Sequence, residues 1–239
     1  MAVTDRQTSR MVDPIQRWRI AFRRGSPALE LGPPEIARAW ESALAAARVP
    51  VVMSAAATPR ARLTFAAPLP VGRLAEHDLV DVVLADRWSM ARLRGAIASA
   101  LPAGLEVVDL YDVWLHAPAL TAVLSGMSHR ATVVGASPAD LSAAAATLLE
   151  AGRLERTRMK GGEQRATYDL RPLILALEVA AASDGAAVRM ILRTASDGPS
   201  GRPDELLLAL GEAAGRPLEQ VDLVRERLWT VDEVPTLAN

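Results

Sequence analysis

Cysteine is absent from the 239 residues, which excludes disulfides, thiol catalysis and iron–sulfur clusters held by the chain's own thiolates. Aromatic residues make up 4% of the chain although half of it is hydrophobic, so Ala, Val and Leu must fill most of the core. Three histidines occur, His77, His116 and His129, far apart in sequence. That scatter argues against a structural zinc site, and neither a metal nor a cofactor is expected. Lys160 is the single lysine; arginine carries the rest of the positive charge. Formal net charge is −1 and the pI is near 6.3, so no global positive field draws the protein to nucleic acid or membranes, and any anion site must be local. No apolar run reaches the roughly 18 residues of a transmembrane helix. The start, MAVTDRQTSRMVDP, lacks the apolar centre of a signal peptide. A cytoplasmic protein without a membrane partner is expected, with flexible ends at 1–13 and 232–239.

What is present reads as one order of elements passed through twice. RWRIAFRRG places Trp18, Ile20 and Phe22 on one side and Arg17, Arg19 and Arg23 on the other, the period-2 signature of a half-buried strand. A helix follows from Pro33 and Pro34, with Ile36, Trp40 and Leu44 forming its apolar stripe. VVMS, RARLTF and DLVDVVLA read as strands, then a helix capped by Ser89, then the strand LEVVDLYDVW. The second pass opens with the strand SHRATVVGA and a helix capped by Ser137 with Pro138 at its first turn. Two hairpins follow, turning at Gly161-Gly162 and at Ser183-Asp184-Gly185. A helix from Pro203 and the strand LEQVDLVRERLWT close it. The expected fold is α+β: two ferredoxin-like, split β-α-β halves at 14–115 and 127–231, the second with an extra hairpin, their sheets covered by helices on one face.

The blocks RWRIAFRRG, ARAWESALAAARVPVVMS, PRARLTFAAPLPVG, RMKGGEQRATYDLRPLI and GRPDELLLALG together resemble the DUF2344 family, the radical-SAM-linked proteins. The resemblance implies a partnership with a radical-SAM enzyme and a setting among translation and RNA-processing functions. Family members carry a His-containing stretch before the first helix, where this chain has LELGPPEI, and a Gly-Phe-Asn-Pro-like loop, where it has SAAATPRAR. Ser54, Pro59 and Arg60 keep the family pattern there, as do Lys160 and Asp169-Leu170-Arg171-Pro172 in the second half.

Two clusters are candidate RNA- or anion-binding faces. One holds Arg156, Arg158, Lys160, Arg165 and Arg171; the other holds Arg17, Arg19 and Arg23, with Arg60 and Arg62 nearby. A row of alternating cations on a strand can meet successive phosphates, and it can equally be a solvated outer face guarding an edge. Asp169 and Arg171 share a strand face and suit a pair that fixes hairpin register, with Pro172 marking a bend. SDGPSGRPDE, with Arg202 and Pro203, resembles a phosphate loop ahead of a helix but lacks the Walker spacing, and a loop with a helix start accounts for it. Tyr111, Trp114, Tyr168 and Trp229 are left as stacking partners.

No catalytic constellation is identifiable. The expected function is a non-catalytic, RNA-interacting accessory protein that assists a separate radical-SAM enzyme or an RNA modification step. An RNA-modifying or RNA-cleaving enzyme is the alternative, marked by a histidine beside Arg or Tyr in a cleft between the halves; a protein–protein adaptor is another.

Overall fold

Alternation along each strand sends one set of side chains toward the helices and the other set away, and this builds two cores beneath the helices and a smaller cluster on the other face. The computed structural model describes residues 13–160, 163–194, 198–233 and 235–237, without the side chains of 158–160 and 163–166. The Gly161-Gly162 turn and the expectation for residues 1–12 lie outside the described residues. The first half runs β1 (Gln16–Arg24), α1 (Pro33–Ala46), β2 (Leu63–Phe65), β3 (Leu74–Leu84), α2 (Met90–Ala98), β4 (Leu105–Val113). The second runs β5 (Leu124–Val134), α3 (Pro138–Glu150), β6 (Glu155–Lys160), β7 (Glu163–Asp169), β8 (Ile174–Ala182), β9 (Gly185–Arg193), α4 (Pro203–Ala213), β10 (Glu219–Thr230). No helix is long and apolar enough to cross a membrane.

Eight strands form one sheet in the order β4-β1-β3-β10-β5-β9-β8, with β2 also on β3; β6 and β7 form a separate pair. In each half the fourth strand lies beside the first, the first beside the third, and the third beside the second. This is the ferredoxin-like order, and the halves repeat it. They fuse because β2 covers only Leu63↔Val82 to Phe65↔Val80. The start of β3 is left unpaired, and β10 pairs with it in parallel at Val224↔Leu74 and Arg225↔Ala75.

The helices cover one face. Trp18, Ile20 and Phe22 of β1 and Val80, Val82 and Leu84 of β3 pack against Ile36, Trp40 and Leu44 of α1 and Leu93 and Ile97 of α2. The second core packs Ala131, Val133, Val188 and Met190 against Leu141 and Leu148 of α3 and Leu206 and Leu210 of α4. Each large aliphatic or aromatic side chain so buried contributes roughly 1.5–3 kcal/mol. Ser89 and Ser137 cap α2 and α3, accepting from Arg92 N and Asp140 N. At the β8–β9 turn Gly185 has φ 136°, and a Cβ there would lie 2.2 Å from the Val133 carbonyl oxygen, so only glycine fits.

Two expectations need correction. VVMS is no strand: only single bridges, Val51↔Leu84 and Met53↔Ala61, form there, because Pro50 and the brief β2 leave too little partner. Arg17 and Arg19 do point away from the helices, but they are not exposed; each is 7% accessible. Both hold Asp81, Arg17 through Nε and Nη2 at 2.9 and 2.5 Å and Arg19 through Nε at 2.8 Å. Arg17 also donates to the Ala117 and Pro118 carbonyls, so the segment joining the halves covers this face. Burial disfavours the Arg19 cation, but Asp81 outweighs that and raises its pKa. Arg23 remains outside, 3.8 Å from Glu106.

Asp81→Ala therefore leaves two buried cations without their anion and costs about 3–5 kcal/mol, read from the urea-unfolding midpoint. Asp109→Ala, which removes the exposed partner of Arg94, costs under about 1 kcal/mol. Equal losses for the two would contradict the burial assigned to the Asp81 cluster.

Candidate functional site: a basic crevice between the halves

Where β10 meets β3, the two helix layers part and leave a crevice of about 590 Å³ above the sheet. One wall is the loop Ala67–Arg73 and the other is the segment Gly198–Asp204, with Met127, His129, Leu223 and Arg225 as the floor. The first wall is proline-rich, so its carbonyls lack ladder partners. Arg24 supplies them. Arg24 shares the inward phase of Trp18, Ile20 and Phe22 on β1 and is 2% accessible. Its guanidinium donates to the carbonyls of Ala28, Leu69, Pro70, Leu29 and Leu31 at 2.6–3.3 Å.

Arg225 is 3% accessible, forms an ion pair with Asp78 across the seam, and donates from Nη2 to the Ala67 carbonyl at 3.2 Å. Its Nε has no partner among the described residues. Arg24 sits close enough for its charge to be disfavoured by burial first and by Arg225 as well, with Asp78 acting the other way; its pKa is lowered. Two buried guanidinium groups thus lie near one buried carboxylate, with which Arg225 forms the ion pair. In register opposite Arg225 lies His129, 5% accessible. Burial, then Arg225 and Arg73, push its pKa down to about 3 against a backbone hydrogen bond with Met127, and its Nδ1 is unpartnered. At the mouth Arg73 donates to Asp204 at 2.6 Å, bridging the walls. Arg202 occupies the N-cap of α4 without a side-chain cap, and Pro203 takes the first turn. Three guanidinium groups and one carboxylate line the crevice. Its charge and unpartnered donors are of the kind that suits an anion.

The candidates read from sequence lie elsewhere, apart from Arg202 and Pro203. Arg156 donates to Glu212 at 2.7 Å. Arg171 donates to the Leu149 carbonyl at the end of α3. Asp169 accepts from Leu154 N and Arg171 N, and those hydrogen bonds, Leu154 first, lower its pKa. It ties the hairpin's base, while Pro172 stands in the short 3-10 turn that follows. The side chains of Arg158, Lys160 and Arg165 lie outside the described residues. Arg60 grips Glu41 at 3.0 and 2.9 Å, and its N–H donates to Ser54 Oγ. Pro59 precedes it in an exposed loop, and Arg62 is exposed. Trp114 is 71% accessible and Tyr111 41%, but β4 lies three strands, roughly 14 Å, from β10. Trp229 is buried on Ser128 Oγ. Among the described residues no cluster of His, Asp and Glu could hold a metal ion.

The sequence matches the family described as "Uncharacterized protein conserved in bacteria (DUF2344)" over residues 17–203. The chain belongs to this family. No curated protein matches it. Among solved structures it is similar to a chain of "Crystal Structure of a Cbf5-Nop10-Gar1 Complex", with TM-score 0.52 and 12% identity over 90% of this chain and 49% of that one. It also matches a chain of "Crystal structure of the archaeal box H/ACA sRNP Nop10-Cbf5 complex", with TM-score 0.45 and 9% identity over 94% and 50%. The chain thus spans about half the length of these structures. At such identity the first likeness shows a shared fold.

Arg225 and His129 follow from strand phase: Leu223 and Arg225 share an inward phase, as do His129, Ala131 and Val133. The expected result at His129 is an imidazole that stays neutral from pH 8 to pH 5, read from its Cε1–H resonance. The unfolded chain takes up this proton near 6.5 and the folded chain near 3. The neutral imidazole therefore stabilises the fold fully above pH 6.5, and that contribution is lost as pH falls toward 3. His129→Asn should flatten this part of the stability profile; titration of His129 near 6.5 would contradict the assigned burial.

Proposed function

We propose that the protein is an RNA-interacting accessory protein whose contact with RNA centres on the crevice. The observation that carries this reading is the buried charge imbalance: Arg24 and Arg225 lie near Asp78, and Arg202 adds a cation at the rim. A chain of net charge −1 thus concentrates positive potential where apolar walls lower the dielectric and strengthen attraction to phosphate. The cationic rows expected on open strand faces supply less, since Arg17, Arg19, Arg60 and Arg156 are engaged by carboxylates. A role beside a radical-SAM enzyme belongs to the same proposal. Without cysteine the chain cannot hold an iron–sulfur cluster through its own thiolates, so radical chemistry would reside in the partner.

A catalytic reading has one observation in its favour: His129 stands opposite Arg225 in a cleft between the halves. Its pKa of about 3 makes the imidazole too weak a base for proton transfer near neutrality. Asp78, behind the floor, is paired with Arg225. The arrangement favours binding over turnover.

Filter binding of transfer RNA across a salt series tests the proposal. The affinity should fall linearly in log–log form, with a slope of about −0.7 to −0.9 per phosphate engaged. Arg202→Glu, an exposed change, should weaken binding severalfold, while the hairpin variant Arg158→Glu with Lys160→Glu should leave it nearly unchanged. Affinity indifferent to salt, or lost in the hairpin variant and kept in Arg202→Glu, would overturn it.

A further inference from the structure

We propose that the crevice receives the phosphorylated end of an RNA strand, a terminal phosphate monoester, rather than a phosphodiester from within the chain. This inference rests on the reading of the crevice as the RNA contact and adds which part of the RNA enters it.

Three observations point to an end group. The first is depth. The free donor, Arg225 Nε, belongs to a side chain only 3% accessible, and the mouth above it is bridged by Arg73 and Asp204. An internal phosphodiester carries chain on both sides and would need two strands through that mouth; a terminus needs one. The second is charge. Arg73, Arg202 and Arg225 line the crevice against Asp204, and with buried Arg24 and Asp78 behind them the cluster keeps an excess of two positive charges. A monoester carries between 1.5 and 2 negative charges near neutrality, its second pKa being about 6, whereas a diester carries one. The third is the set of unused hydrogen-bonding groups. α4 begins at the crevice, and its first-turn N–H groups have no intrahelical acceptor. No side chain caps that end, and Arg225, whose buried Nε has no partner among the described residues, lines the same crevice.

His129 completes the match. Its unpartnered Nδ1 is an acceptor amid donors, so it would repel a bare phosphate oxygen and suits a hydroxyl of the end nucleotide. Ala67, Leu69, Met127 and Leu223 supply apolar surface for the attached sugar and base, within a volume typical of pockets for small ligands. Asp204 is the one carboxylate that an entering phosphate meets. Arg73 must leave it, or turn with it, for the phosphate to settle.

The test uses fluorescence anisotropy with a single-stranded RNA of about twelve nucleotides in three forms: 5′-phosphorylated, 3′-phosphorylated, and with hydroxyls at both ends. One phosphorylated form should bind at least tenfold tighter than the hydroxyl form. That preference should collapse in Arg202→Gln. It should also shrink in Arg225→Lys, which keeps the charge opposite Asp78 but lacks the Nε donor. Asp204→Asn should tighten binding of the phosphorylated form. If Arg225→Lys fails to fold by circular dichroism, the exposed Arg202→Gln still decides. Equal binding of all three RNAs, with Arg202→Gln weakening each alike, would overturn the end-group inference and leave the crevice as an RNA contact. No binding of any RNA would overturn both. Adenosine monophosphate competing as strongly as the phosphorylated RNA would overturn the RNA source of the phosphate.

Discussion

The ion pair between Arg225 and Asp78 spans the line where the two halves become one sheet, and the site depends on it. Asp78 stands on β3 of the first half and Arg225 on β10 of the second, buried at 6% and 3% accessibility. Two short facts of chain geometry bring them together. β2 is too brief to cover the start of β3, and β10 takes that edge at Leu74 and Ala75. Burying opposite charges is costly unless their remaining groups are satisfied. Here Arg24 stands behind Asp78 as a second cation, and it ties the Leu69 and Pro70 carbonyls of the proline-rich wall to those of Ala28, Leu29 and Leu31. The same residues that join the halves therefore shape one side of the crevice and charge its floor.

This arrangement explains how a chain that is nearly neutral overall can hold a local positive site. Several of its arginines are neutralised pairwise at the surface, as in Arg60–Glu41, Arg94–Asp109 and Arg227–Glu233, where each pair contributes little to stability. Arg17 and Arg19 converge on Asp81 and on carbonyls of the segment that joins the halves; their role is to fasten that segment to the sheet. At the crevice Arg24 and Arg225 are buried with the single buried carboxylate of Asp78 beside an opening to solvent. His129 stays neutral there because burial first, and then Arg225 and Arg73, disfavour its proton.

The fold was largely legible in the sequence because its signals are local. Alternation marked β1, serine and proline marked the starts of α2, α3 and α4, and Ser183-Asp184-Gly185 marked a hairpin. Alternation also put Arg17 and Arg19 on the face away from the helices. It could not tell that residues 114–123 would cover that face, since a strand's phase says which way a side chain points and not what lies beyond it. The pairing of β10 with β3 was invisible for a different reason: two residue pairs between strands distant in sequence leave no periodic trace. The crevice fell between these cases. The inward phase of Arg225 and His129 was on the page, but their importance depends on a seam no local pattern announces.

The most direct measurement of the central claim is a titration of the protein with 5′- and 3′-phosphorylated RNA, followed through the arginine Nε–Hε resonances in NMR spectra. If the crevice is the anion site, the Arg225 resonance should shift most, with Arg202 and Arg73 following and Arg17 and Arg19 unmoved. Shifts confined to the arginines of the β6–β7 hairpin, or to Arg17 and Arg19, would contradict it.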